Sequence, residues 1–286
     1  MRRILFSIVF FLLLDLKLYC FEFNIEKFRE KLKSSSKSLK VSYENHLGEG
    51  EGAFDPKPRY NQKSVNCTTW WQQLLAESYT DNQADLLKAL DHIRYYNGVV
   101  SFGTRKHFLD HYLVDNPNPL VDIHEKIGSF CNDDKIHGVD LDINLFKKSA
   151  NYSCPIINEN KKEILFTFLS KEKAIQCAKK LPDGVYISFP VATRRYISIW
   201  GKKSGPMGRV HGLIINKEKG IATVYHASID QGRVASEPFE QYVLAPGSRL
   251  FRGYKIYQID RQYKLNSSDI NQEKIDEIMS CEQSLL

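Results

Sequence analysis

The apolar and polar positions divide the chain into a helical first part and a strand-rich second part. Cys67, Trp70, Trp71, Leu74, Leu75 and Ser78 recur at i, i+3, i+4, i+7, i+8 and i+11, which is one face of a helix. No Gly or Pro interrupts Cys67 to Thr80, and Asn66 stands where an N-cap residue belongs. The spacing predicts a helix whose first turn carries Cys67. Leu86, Leu87, Leu90 and Ile93 repeat the period over Asn82 to Ile93, and Arg94-Tyr95-Tyr96-Asn97-Gly98 reads as a turn. Phe23 to Leu32 is a short amphipathic piece. The Ser/Lys run from Lys33 to Ser38 that follows reads as a loop or linker. Residues 47–60 are rich in Gly and Pro and read as irregular. In Ser101 to Val114, His107 and His111 are spaced i, i+4. That places both on one helix face, either as a metal pair or as satisfied surface histidines, and the second reading is favoured because no H-E-x-x-H motif accompanies them. Residues 122–162 are polar and read as an irregular connecting region.

From Lys162 onward the period changes. Ile164 to Leu169, Val185 to Phe189, Arg195 to Trp200, Arg209 to Ile215, Ile221 to Tyr225 and Gly253 to Ile259 are short runs rich in Val, Ile, Tyr and Phe. Lys171 to Lys180 and Ile270 to Met279 read as helices, and Lys217-Glu218-Lys219-Gly220 as a hairpin turn. Helices first, then an antiparallel sheet, is an α+β architecture.

Composition sets few limits. The 286 residues, 42% hydrophobic and 12% aromatic, suffice for a full core. Arg2 and Arg3 precede an eleven-residue run, Ile4 to Leu14, that is apolar except for Ser7. Such a run is too short for a bilayer span of about 20 residues and fits a secretory signal peptide over residues 1–20. An uncleaved anchor and lipidation at Cys20 are the alternatives. Losing that segment removes three cations and one anion, so the formal charge of +6 falls to +4. This mild basicity suits an anionic polymer, and no basic run interleaved with aromatics points to nucleic acid. No stable membrane insertion is expected once the signal is removed, and the mature chain is expected to be a monomer.

Cysteine arithmetic bears on the chemistry. Without Cys20 five cysteines remain, and an odd count in an exported chain suggests one free thiol. Cys131, Cys154, Cys177 and Cys281 then make two disulfides, with three pairings open. A thiol at a helix N-terminus sits at the positive end of the helix dipole, which favours the thiolate. Taken alone, Cys67 fits a buried structural cysteine or half of a disulfide better than a reactive thiol.

The predicted hairpin tips that balance. His211 lies six residues before Lys217 and His226 six after Gly220, near mirror positions on neighbouring strands about 4.8 Å apart. A thiol, a base and a third group that orients the base are what cysteine nucleophilic catalysis needs. Cys67, His211 and His226 supply them without a metal or other cofactor.

These residues resemble a known family. Cys67-Thr68-Thr69, Arg94-Tyr95 with Gly98, Thr104-Arg105-Lys106-His107-Phe108, His211-Gly212 and His226-Ala227-Ser228 follow one another as in the NlpC-type, papain-like cell-wall cysteine amidases and peptidases. More closely, they resemble the N-acetylmuramoyl-L-alanine amidase-like branch, over roughly residues 60–260. Gly232-Arg233-Val234 to Tyr242 falls where that branch has a short strand and helix. Asn66 replaces its usual Asp, Trp70-Trp71-Gln72 replaces Phe-Val-Glu, and no Val separates His211 from Gly212.

The resemblance implies a papain-like fold, with one catalytic domain over 60–286 and an insertion at about 94–162. Residues 21–59 are an N-terminal extension. It implies an exported, periplasmic or secreted enzyme that opens an amide bond of peptidoglycan or a muropeptide through an acyl-Cys67. Tyr60, Arg105, His107 and Ser228 are candidate substrate-binding residues. The rival readings are a wall- or ligand-binding module of the same fold and a thiol peptidase or acyltransferase acting on protein.

Overall fold

The computed structural model describes residues 22–38, 41–44, 50–107, 119–123, 131–132, 135–140, 143–157, 159, 163–192, 211–261 and 272–286. The expected signal segment, the strand at 195–200, His111 and Cys20 lie outside them. Among the described residues no helix is long and apolar enough to cross a membrane.

The chain opens with helix α1 (Ile25–Lys37), capped by the Asn24 side chain, which accepts from Lys27 N at 2.9 Å. The expected Ser/Lys linker at 33–38 is therefore mostly helix. Ser34, Ser35 and Ser36 each donate their hydroxyl to the carbonyl three residues back, at 3.0 Å. Phe28 and Leu32, one turn apart, anchor this helix in the core. Two-residue strands β1 (Ser42–Tyr43) and β2 (Ser64–Val65) lead to α2 (Cys67–Tyr79) and α3 (Gln83–Arg94). Residues 106–107 are not helical, so no helix places His107 as one of an i, i+4 pair. The polar region expected to be irregular contains β4 (Lys135–Asp140) and α4 (Ile143–Ser149), and β3 (Leu120–Asp122) lies at its start.

The second half follows the predicted strand pattern more closely: β5 (Glu163–Ser170), α5 (Lys171–Lys180), β6 (Gly184–Ala192), β7 (Leu213–Glu218), β8 (Ile221–Ser228), β9 (Arg233–Pro238), α6 (Phe239–Leu244), β10 (Phe251–Ile259) and α7 (Gln272–Ser284). One mostly antiparallel sheet runs β2-β1-β9-β8-β7-β6-β10-β5-β4, with β3 also on β10. Its only parallel contact among the described strands is β1 with β2. The architecture is α+β with an antiparallel-dominated sheet.

Both faces of the central strands are covered. Trp70, Trp71, Leu74 and Leu75 of α2 pack with Ile187, Phe189, Ile214, Tyr225 and Ala227 on one face. Tyr186, Leu213, Ile215 and Val224 point the other way, under Cys177 and Ala178 of α5 and Phe239, Tyr242 and Val243 of α6. Two-sided burial accounts for the near-continuous apolar runs of these strands. The β7–β8 turn is tighter than the four-residue turn expected. Glu218 pairs with Ile221, and Lys219 and Gly220 form the loop at φ 50° and 79°. Positive φ at both loop residues matches the right-handed twist of a hairpin. Asp183 fixes the loop by accepting from Lys219 N at 2.8 Å and Gly220 N at 3.2 Å. Disulfides Cys131–Cys177 and Cys154–Cys281 tie the middle segment to α5 and α7.

Candidate active site

Cys67 is the one free cysteine among the described residues. Its place on the first turn of α2 is set by Asn66. The Asn66 side chain accepts from Thr68 N and Thr69 N at 2.8 Å each, and Thr69 Oγ1 accepts from Asn66 N at 3.0 Å. This reciprocal capping satisfies orphan N–H groups of the helix start. Asn thus performs the capping role with no charge beside the thiol. Gln72, where the family pattern has Glu, accepts from Arg94 Nε at 2.8 Å and joins α2 to α3 inside the protein. Trp70 and Trp71 are core residues. The departures from the family pattern therefore serve the helix and its packing.

The strand end that meets this turn carries Gly212. A Cβ there would stand 2.7 Å from Trp71 Cδ1 and 2.8 Å from the carbonyl oxygen of Cys67. Only glycine allows the backbone after His211 to approach the helix so closely. The peptide N–H groups of Gly212, Cys67 and Thr68 and the Thr68 hydroxyl act on the thiol to favour the thiolate. Burial acts more strongly and pushes the Cys67 thiol up. The helix-terminal thiol is thus neutral at rest, which differs from the thiolate expected from its position. The dipole's help is outweighed by desolvation, which penalises the charged form.

His211 lies two residues before β7 rather than on it, and His226 lies on β8. The observed register sets His226 beside Leu213, so His211 is its diagonal neighbour on the same face. The two rings stand edge to face at 5.3 Å, with His211 Nε2 3.2 Å from His226 Nδ1. Burial, with the neighbouring His226 charge, lowers His211 to about 3. Burial lowers His226 to about 4, against the opposing pull of Asp230. Both imidazoles are therefore neutral at pH 7. The Tyr242 ring packs edge-on against His226 at 5.0 Å. By strand alternation the histidine pair shares a face with α6, while α2 covers the opposite face. The two sides come together at the sheet end, where Gly212 touches the Cys67 turn.

The other candidate residues have defined partners. The Tyr60 hydroxyl donates to Glu77 Oε1 at 2.6 Å. Glu77 is ten residues beyond Cys67 on α2, about 15 Å along the axis at about 1.5 Å per residue. Arg105 pairs with Asp55 at 3.5 Å. His107 Nε2 lies 2.7 Å from the Phe102 carbonyl oxygen, and its ring packs on Phe102 and Phe146 at 4.4 and 4.7 Å. Ser228 accepts from Gln231 N at 3.3 Å and shapes the turn after β8. The geometry gathers Cys67, Gly212, His211 and His226. Two residues around this group, Tyr242 and Glu237, were not among the candidates. Both belong to β9–α6, and their nearness shows only once the β8–β9 register is known. Among the described residues no three His, Cys, Asp or Glu side chains cluster as a metal-ligand set.

A neutral thiol held among N–H donors, on a turn that the Gly212 backbone following His211 approaches, and a hydrogen-bonded imidazole pair are the groups that nucleophilic acyl chemistry uses. The crystal structure of a protein from Legionella pneumophila str. Philadelphia 1 aligns with a TM-score of 0.65 at 16% identity, over 85% of this chain and 91% of that one. That of an N-acetylmuramoyl-L-alanine amidase from Bacteroides uniformis aligns with a TM-score of 0.59 at 18% identity, over 82% and 99%. At these identities they establish a shared fold. No curated protein matches the chain. The model of the AmiA-like family, N-acetylmuramoyl-L-alanine amidase-like, matches residues 34–246, and the chain belongs to that family.

Proposed function

We propose that this protein is an exported, papain-like cysteine amidohydrolase that opens an amide bond of peptidoglycan. The observation that carries the reading is the meeting of Cys67, on its helix N-terminus, with the Gly212 strand end beside the His211–His226 pair. Family membership supports an amidase-like role on peptidoglycan. Two disulfides support an oxidising, extracytoplasmic compartment.

His211 uses Nε2 toward His226, and in the tautomer that carries its proton on Nε2 the other nitrogen, Nδ1, is the base. In the first step the Cys67 proton passes to His211 Nδ1 as sulfur attacks the carbonyl carbon of the amide. The carbon becomes tetrahedral, and its oxyanion is met by backbone N–H donors of the first turn, Cys67 N–H among them. His211 then gives its proton to the leaving nitrogen, the C–N bond breaks, and a thioester to Cys67 remains. Water attacks the thioester, its proton returns through His211, and the acid product leaves with the thiol restored. Because thiol and imidazole are both neutral at rest, the ion pair forms only as charge develops on the substrate. The amide is the bond between the muramoyl lactyl group and L-Ala, or one within the stem peptide.

Digestion of a defined muropeptide, followed by mass spectrometry, tests this reading. The expected products are a lactyl acid with a free peptide amine, or two stem-peptide fragments. An unchanged muropeptide, with Cys67 still open to a small alkylating reagent, would instead favour a protein amide as substrate.

A further inference from the structure

The His211–His226 pair does not end at His226. Nε2 of His226 is buried and has no hydrogen-bond partner. It faces Glu237 Oε1 at 3.7 Å, within ion-pair reach but beyond a hydrogen bond. Strand register explains the arrangement. Ala235 stands opposite His226 across β8–β9, and Glu237 stands opposite Val224, so Glu237 is the diagonal neighbour of His226 on one face. The methyl side chain of Ala235 leaves room for the carboxylate to lean across. His211 just before β7, His226 on β8 and Glu237 on β9 therefore stand in one line. Tyr242 closes the His226 ring from the side, and Asp230 adds a negative charge from the turn after β8.

We propose that Glu237 is a positioning residue that fixes the tautomer of the histidine pair. The inference rests on the cysteine amidohydrolase reading for its purpose, but its geometry is independent of it. Two neutral imidazoles joined through Nε2 and Nδ1 share one proton at that contact. Either His211 Nε2–H donates to His226 Nδ1, or His226 Nδ1–H donates to His211 Nε2. Only the first leaves His211 Nδ1 unprotonated and able to take the Cys67 proton. A carboxylate beside His226 Nε2 selects it, because it stabilises a proton on that nitrogen and so strips Nδ1 bare. The short move that turns 3.7 Å into a hydrogen bond also satisfies a buried donor. When His211 becomes imidazolium, the carboxylate offsets its charge through His226. Nothing in the line changes oxidation state and no bond other than N–H and O–H is involved.

Nitrogen-15 NMR of histidine-labelled protein reads the tautomer directly, with signals assigned by loss in His226→Gln. In the wild type His226 is expected as the Nε2–H form and His211 as the Nε2–H form. In Glu237→Gln, whose amide can also donate, His226 is expected to shift toward Nδ1–H. For the same variant kcat/KM is expected to fall about 10–100-fold, the scale reached by outer partners of a functional imidazole, with KM little changed. Glu237→Asp is expected to recover part of the loss. An Nδ1–H His226 in the wild type, or no tautomer change in Glu237→Gln, overturns the proposal. If the tautomers behave as expected but no amide is cut, the relay stands and the amidohydrolase reading fails. If amide cleavage is normal in Glu237→Gln, the relay fails and that reading stands.

Discussion

At the residue scale, the site depends on what Gly212 lacks. Its missing Cβ lets the His211 strand end rest on the Cys67 turn, since a Cβ there would stand 2.7 Å from Trp71 Cδ1. Gly212→Ala is expected to cost about 1–3 kcal/mol, as overpacking in a core does. It should also lower turnover by moving His211 away from Cys67. A urea midpoint unchanged from wild type would show that the contact is loose. The two histidines carry a pH signature. In the folded chain His211 is held to about 3 and His226 to about 4, whereas an unfolded histidine titrates near pH 6.5. Between these values the unfolded chain binds more protons, so stability is full above about pH 6.5 and is lost as pH falls through about 4 for His226 and about 3 for His211. Urea midpoints are expected to drop over that window, and to drop less in His226→Gln; equal slopes would contradict the burial of the pair. Cys67 and its histidines were legible in the sequence because each sits at a marked place, a helix cap or a hairpin arm. The neutral resting state was not, because desolvation depends on what packs around the thiol.

At the element scale, periodicity located α2, α3 and α5 closely, since each has an apolar face and a clear end. The tail of α1 was hidden, because its serines read as linker until their hydroxyls are seen bonded to backbone carbonyls. β4 and α4 were hidden in a polar stretch, where strand and helix lack an alternating apolar face. The hairpin was legible, but its turn was one register step tighter than the residues suggested. That step makes the two histidines diagonal rather than opposite neighbours. Glu237 could not be read at all, since its place depends on a third strand. The second disulfide closes a separation of 127 residues between Cys154 and α7. By loop-closure entropy its removal in Cys154→Ser/Cys281→Ser is expected to cost about 4–5 kcal/mol. A thermal midpoint equal to wild type would mean that α7 is held by packing of Ile275 and Ile278 alone.

At the scale of the whole molecule, one sheet carries two kinds of cover. Helix α2 supplies the thiol to one face and the β7–β9 strands line up the imidazoles on the other. The Cys67 turn and the Gly212 strand end meet at the end of the sheet, where backbone can approach backbone. This division explains how sequence identities of 16–18% coexist with alignments over four-fifths or more of the chain. The core needs apolar faces, while the site needs only a few residues at strand and helix ends. The central claim is that Cys67 forms the acyl intermediate. Its most direct test is the rate of muropeptide cleavage by Cys67→Ala, with circular dichroism to check folding. The expected result is a folded protein whose turnover has fallen by about a thousand-fold or more, as loss of a nucleophile demands. A folded Cys67→Ala that cleaves within ten-fold of wild type would contradict the account.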